Sequence, residues 1–204
     1  MKRLLVVVAL AACTEAAEPA RLDHAQILAV RATPAHVAAG GRARIDLLAG
    51  DATGAIFEAA PDVVVADGLA VERAPDGWYV TAGAAPGIAP LAVSLAIDGE
   101  TWRATKQLVI GPPADNPQVA AMQVDGAATD ALVAAVGTTP TLAAAAIGGE
   151  PLTYAWYSSV GDLEHYRTAE AVLDAAEPAE GTVVVVVRDS VGGVTWQPLP
   201  ARIE

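Results

Sequence analysis

Cysteine is almost absent from this chain: Cys13 stands alone among 204 residues, so no intrachain disulfide can staple the fold. Histidine is nearly as scarce. His24, His36 and His165 lie far apart and none falls in a ligand spacing such as H-x-x-x-H, which gives no basis for a metal site. Aromatic residues make up only 4% of the chain. The cores must therefore be built by scattered Val, Leu, Ile and Trp, because alanine buries little area. Positive charge is short too, with 12 Lys and Arg against 24 Asp and Glu and a formal charge of −12, which disfavours a nucleic-acid partner. There is no G-x-S-x-G, no nucleotide-binding loop and no cysteine after position 13 to act as a nucleophile. The chain reads as non-catalytic, with no cofactor.

What the N-terminus has is a basic start and a short apolar run. Lys2 and Arg3 precede Leu4 to Ala12, too short to span a bilayer, which needs ~20 residues, and suited to an export signal. The run ends in Leu10-Ala11-Ala12-Cys13, which resembles the lipobox of bacterial lipoproteins. That resemblance implies cleavage before Cys13, acylation of its sulfur and a membrane anchor on the mature first residue. Thr14 rather than Asp follows the cysteine, which in diderm lipoproteins accompanies sorting to the outer membrane. Cleavage after Ala11, in the small-residue pattern Ala9-Leu10-Ala11, would instead release a soluble chain. Losing residues 1–12 removes two positive charges and no negative one, taking the net charge from −12 to −14. Residues 13–21 have no apolar periodicity and read as a tether.

The strongest internal signal is Thr182 to Trp196. Five consecutive valines between Gly181 and the turn residues Asp189 to Gly193 predict a strand apolar on both faces, central in a packed sheet, followed by a hairpin. Val183, Val185 and Val187 share one face, Val184 and Val186 the other, and Trp196 is expected in the same core as Val185.

Earlier in the chain, Arg42 to Leu47 alternates with Ala43, Ile45 and Leu47 inward and a wet outer face. Val63 to Val65 and Trp78 to Val80 are shorter strands, and Trp78 and Trp102 belong to the first core. Leu91 to Ile97 alternates up to Asp98-Gly99, a hairpin signal that pairs Ile97 with Glu100 and Leu95 with Trp102. Gly111 to Pro117 is the connector, dividing residues 22–111, a first sandwich, from a linker at 112–116 and a second sandwich at 117–204. It is expected to be cut by proteases, leaving two folded halves. In the second half, Thr141 to Ile147 reads as a strand despite its alanines, because Pro140 and Gly148-Gly149 leave too little length for a helix. Gly87 precedes Trp102, and Gly181 precedes Trp196, by the same interval, a faint internal repeat. Short strands, regular turns and no convincing helix define an all-β fold of two tandem antiparallel Ig-like sandwiches after a lipoprotein signal.

The stretches Tyr154 to Gly161 and Gly181 to Gly193 resemble bacterial Ig-like domains of the PKD kind, with Trp156, Val183, Val185, Val187, Asp189 and Gly193 matching. The family's W-x-F-G-D-G is stretched here, with Leu163 in place of the second glycine. The resemblance implies spacer, adhesive or binding modules, Trp156 in the core of the third strand and the valine run as penultimate strand.

Two further groups carry chemistry. Tyr157 and Tyr166 are the candidate ligand-contacting pair, for a sugar or peptide at one rim, against the alternative that they pack under the loop from Gly161 to Thr168. Asp162 and Glu164 are too few for a calcium loop. The functional expectation is a lipid-anchored cell-envelope module, structural or protein-binding, with an envelope protein as partner and carbohydrate binding as the alternative.

Overall fold

Within residues 20–204, which the computed structural model describes, every apolar run singled out above forms a strand; Cys13, the leader and the tether up to residue 19 lie outside them. No helix occurs among the described residues. The alanine-rich run is a strand, as its bounding Pro and Gly require.

The first domain runs through β1 (Gln26–Thr33), β2 (His36–Val37), β3 (Arg42–Gly50), β4 (Ile56–Ala59), β5 (Val63–Ala66), β6 (Ala70–Ala74), β7 (Gly77–Thr81), β8 (Gly87–Ile97) and β9 (Glu100–Ile110). One sheet has the order β1-β3-β7-β6, with β4 also on β3, and the other β2-β9-β8-β5. The second domain comprises β10 (Gln118–Val124), β11 (Ala127–Ala128), β12 (Leu132–Ala134), β13 (Thr141–Ile147), β14 (Leu152–Ser158), β15 (Asp162–Glu164), β16 (Glu170–Asp174), β17 (Ala179–Asp189) and β18 (Val194–Ile203). Its sheets are β11-β10-β13-β16-β15 and β12-β18-β17-β14. The two schemes are the same: an A-B-E-D sheet opposes a G-F-C sheet, and a short strand, β2 or β12, joins the last strand in parallel. The internal repeat is therefore a repeat of topology.

Local chemistry explains the registers. Asp98 and Gly99, both at positive φ (54° and 83°), make the tight turn that pairs Ile97 with Glu100 and Leu95 with Trp102. Leu91, Val93, Leu95 and Ile97 then enter the first core with Ala43, Ile45 and Leu47. In the second domain Trp156 is fully buried beside Val183, Val185 and Val187, and its indole N–H donates to the Thr168 carbonyl at 2.9 Å. Pairing a buried donor removes the penalty of leaving it dry.

Trp196 departs from expectation. It pairs with Val186, not Val185, so strand alternation sends it out of the second core. The spacing shared by Trp102 and Trp196 places the two on opposite faces of their sheets, one in a core and one at the junction between domains.

That junction is a third apolar layer. Val184, Val186, Val194 and Trp196, on the outer face of β17 and β18, pack with Leu28, Ala29 and Leu48 on the outer face of β1 and β3. A β-bulge between Ile27 and Ala29 turns both Leu28 and Ala29 toward the second domain. The outer face of β3 is consequently wet only at Arg42 and Arg44, while Asp46 and Leu48 are buried. The result is four stacked sheets with apolar layers in each gap.

Candidate functional site

The interval between the domains carries an apolar cluster ringed by charged and polar side chains. Around its apolar centre, Trp196 donates its indole N–H to a Glu58 carboxylate oxygen at 2.6 Å, and the Arg31 guanidinium lies over the Trp196 ring at 3.9 Å. Arg31 also approaches Glu58 and Asp46 (3.6 and 3.8 Å), while Arg44 holds Asp46 at 2.9 Å. Two guanidinium groups thus face the largely buried Asp46 carboxylate.

The hairpin after β17 is gripped from both sides. Asp189 Oδ1 accepts the backbone N–H of Val191 (3.0 Å) and of Gly193 (2.6 Å), and a Cβ on Gly193 would lie 2.3 Å from Asp189 Oδ2. That is the physical reason for Asp and Gly at these two positions. From the first domain, His36 Nε2 donates to the Val191 carbonyl (3.0 Å) and Lys106 Nζ donates to the Gly192 carbonyl. Lys106 is buried, and desolvation lowers its pKa below the ordinary lysine value, opposed by the nearby Asp189 charge and reinforced by Arg188. Arg188 donates to the Leu28 carbonyl at 3.0 Å, and the Asn116 side chain bonds Ala32 O and Val194 N–H, both at 2.8 Å. The connector therefore joins both domains, and removing either would strip the other of buried partners.

The start of the described chain belongs to the same structure. Ala20 and Arg21, read from sequence as tether, are held against the second domain: Ser158 N–H donates to Ala20 O (2.9 Å), Leu22 N–H to Ser158 O (2.8 Å), and Arg21 pairs with Asp162 at 2.8 Å. Ala20 enters the second core and Leu22 the junction. The hydrogen bond to Asp162 raises the Arg21 pKa. Asp162 and Glu164, placed in a loop by sequence, are the ends of β15, and Asp162 is committed to this pair.

The tyrosines do not meet. Tyr157, opposite Val184, packs against the junction; Tyr166 packs against the second core, and its carbonyl accepts the Trp156 N–H at 2.8 Å. Alternation along β14 puts neighbours 156 and 157 on opposite faces, so a shared platform is not formed. Each ring is half-buried against its own cluster. No group of three or more His, Cys, Asp or Glu in reach of one metal ion occurs among the described residues.

Sequence reasoning missed the outer face of β2-β9-β8-β5. Val63 and Val65 are about half exposed (48% and 53%) and Ile88 more so (64%). With Ala92, Ser94, Arg103 and Thr105 the valines line an open concavity of about 650 Å³. The alternation of β5 was its only sequence signal, because Val63 and Val65 flank a buried Val64.

The pairing defines the class: two tandem Ig-like β-sandwiches joined face to face. Among solved structures the chain is similar to the tandem Ig repeats of Dlar, at 17% identity over 88% of this chain and 97% of that one, TM-score 0.37. It is similar also to a chimeric titin Z1Z2-Z1Z2 tandem (15%, 88% and 99%, 0.39) and to the N-terminal Ig1-2 module of the Drosophila receptor protein tyrosine phosphatase DLAR (16%, 89% and 99%, 0.38). No protein-family model matches the chain, and no curated protein matches it in sequence.

Proposed function

We propose that this chain is a lipid-anchored cell-envelope protein, acting without catalysis as a rigid structural or protein-binding module. The observation that carries the reading is the buried junction: Val184, Val186 and Trp196 seal one domain's sheet against the other's, as a part that holds a fixed shape requires. The basic and apolar leader ending at Cys13 supports the anchor, and Thr14 supports outer-membrane sorting in a diderm host. Six residues, 14 to 19, separate Cys13 from Ala20, where the chain is strapped to the second domain. Fully extended, the seven steps from Cys13 to Ala20 reach about 25 Å, which holds the body close to the membrane. Labelling with a radioactive fatty acid tests the reading. Cys13→Ala should abolish the label and move the protein to the soluble fraction, whereas label retained in Cys13→Ala would overturn the anchor.

A further inference from the structure

The internal junction leaves two of the four sheets with a free face, and the two differ in a complementary way. Within the chain, the G-F-C sheet of the second domain docks on the A-B-E-D sheet of the first. The corresponding G-F-C sheet of the first domain, β2-β9-β8-β5, and the corresponding A-B-E-D sheet of the second, β11-β10-β13-β16-β15, have no such cover among the described residues. On the first, the outward positions include Val63, Val65, Ile88 and Ala92 among the polar Ser94, Thr105 and Gln107, and Arg103 is the one charge on that face. No ion pair involves Arg103 among the described residues. On the second, Ala121, Ala143, Ala145 and Ile147 form an aliphatic strip interrupted by Gln123 and flanked by Gln118 and Thr141, beside Glu164, Glu170 and Asp174, and these strands contain no Lys or Arg. An apolar field with one unpaired cation thus matches an apolar field edged with acids.

We propose that a second copy of this chain docks its β10-β13-β16 face onto the β9-β8-β5 face of the first, repeating between molecules the sheet-on-sheet contact already made within one. The proposal names the partner of the protein-binding reading above and does not need the lipid anchor. An isologous pair of β9-β8-β5 faces is disfavoured, because it sets Arg103 against an aliphatic or hydroxyl side chain and supplies no carboxylate. With strands about 4.8 Å apart and about 3.3 Å of rise per residue, the smaller face, β10-β13-β16, offers about 300 Å² per partner. The total of about 600 Å² is below that of a stable specific interface, so the association is weak and concentration-dependent. The contact is head-to-tail, and it propagates instead of stopping at a dimer.

Sedimentation velocity of the purified full chain, from low to high micromolar, tests this with two blocked variants. Val65→Glu puts a carboxylate on the first face, against the acids of the incoming one, and Ala145→Arg puts a cation on the second, against Arg103. Both positions are exposed, so melting temperatures should match the parent. The parent should grow beyond a dimer with concentration. Each variant alone should self-associate more weakly by roughly a hundred-fold, as like charges brought together in an interface do. Because each variant keeps one working face, an equimolar mixture should form a discrete heterodimer. A parent that stays monomeric, growth unaltered by either substitution, or Ala145→Arg still forming dimers alone would overturn the proposal. None of these results alters fatty-acid labelling, so failure here is distinct from failure of the anchor.

Discussion

Replacing Val184 by Asp places a carboxyl group between the two domains, on the side of the strand whose surroundings the sequence leaves open. Val184 is wholly buried, paired with Tyr157 and Pro198 and clustered with Leu28 and Leu48. Desolvation there raises a carboxyl pKa, by about 3–5 units from about 3.9. A folded state with the raised pKa binds more protons than the unfolded state, so stability falls as pH climbs from about 4 towards the folded pKa, by about 1.4 kcal/mol per unit. Over the roughly three units to neutrality the loss is about 4 kcal/mol. Lost burial of the valine adds about 1.5 kcal/mol. The total is comparable to a domain's whole stability, about 5–15 kcal/mol. Urea unfolding followed by tryptophan fluorescence at several pH values measures this. Val184→Asp and Val185→Asp should be similarly damaging at neutral pH, and both should recover most of the loss near pH 4 relative to the parent. A Val184→Asp protein with the parental midpoint at neutral pH would refute the covered face, and with it the four-sheet stack.

Trp196→Ala should cost about 3–5 kcal/mol, since it empties the junction and leaves Glu58 and Arg31 without the indole. Limited proteolysis should then cut near Gly111 to Asn116, a segment expected to resist cleavage in the parent. Asp189→Ala strips the acceptor from two backbone N–H groups and should destabilise by about 1–3 kcal/mol in thermal melts. Lys106 has its folded pKa lowered, so the unfolded state holds its proton to higher pH and stability should rise as pH approaches about 10.4 from below, with no further gain above it. Lys106→Met should flatten that alkaline rise in urea midpoints, and an identical rise in the variant would show that Lys106 is not its source.

Period-two alternation and turn chemistry made most of the fold legible in the sequence. Asp98-Gly99 set the β8–β9 register, Pro140 with Gly148-Gly149 excluded a helix from the alanine run, and the five valines announced a strand with no wet side. These are local constraints, fixed by residues within a few positions of each other. What covers the second face of such a strand is not local. Val184 and Val186 are equally apolar whether they meet a sheet of their own domain or of the next one, and only the β1 bulge, the Asn116 bridge and the Ala20–Leu22 strap decide it. Trp196 was misplaced for the same reason: the β17–β18 register depends on how the Asp189–Gly193 hairpin closes, and a one-residue change sends the indole to the opposite face. Tyr157, on β14, and Tyr166, beyond β15, rest on different clusters, and their spacing along the chain carried no information about which cluster each would meet. The sequence by itself determined the strands, their turns and the two cores, because alternation and turn preference act through neighbouring residues. Tertiary structure alone decided the junction and the two free faces, because burial on the far side of a sheet depends on a surface distant in the chain.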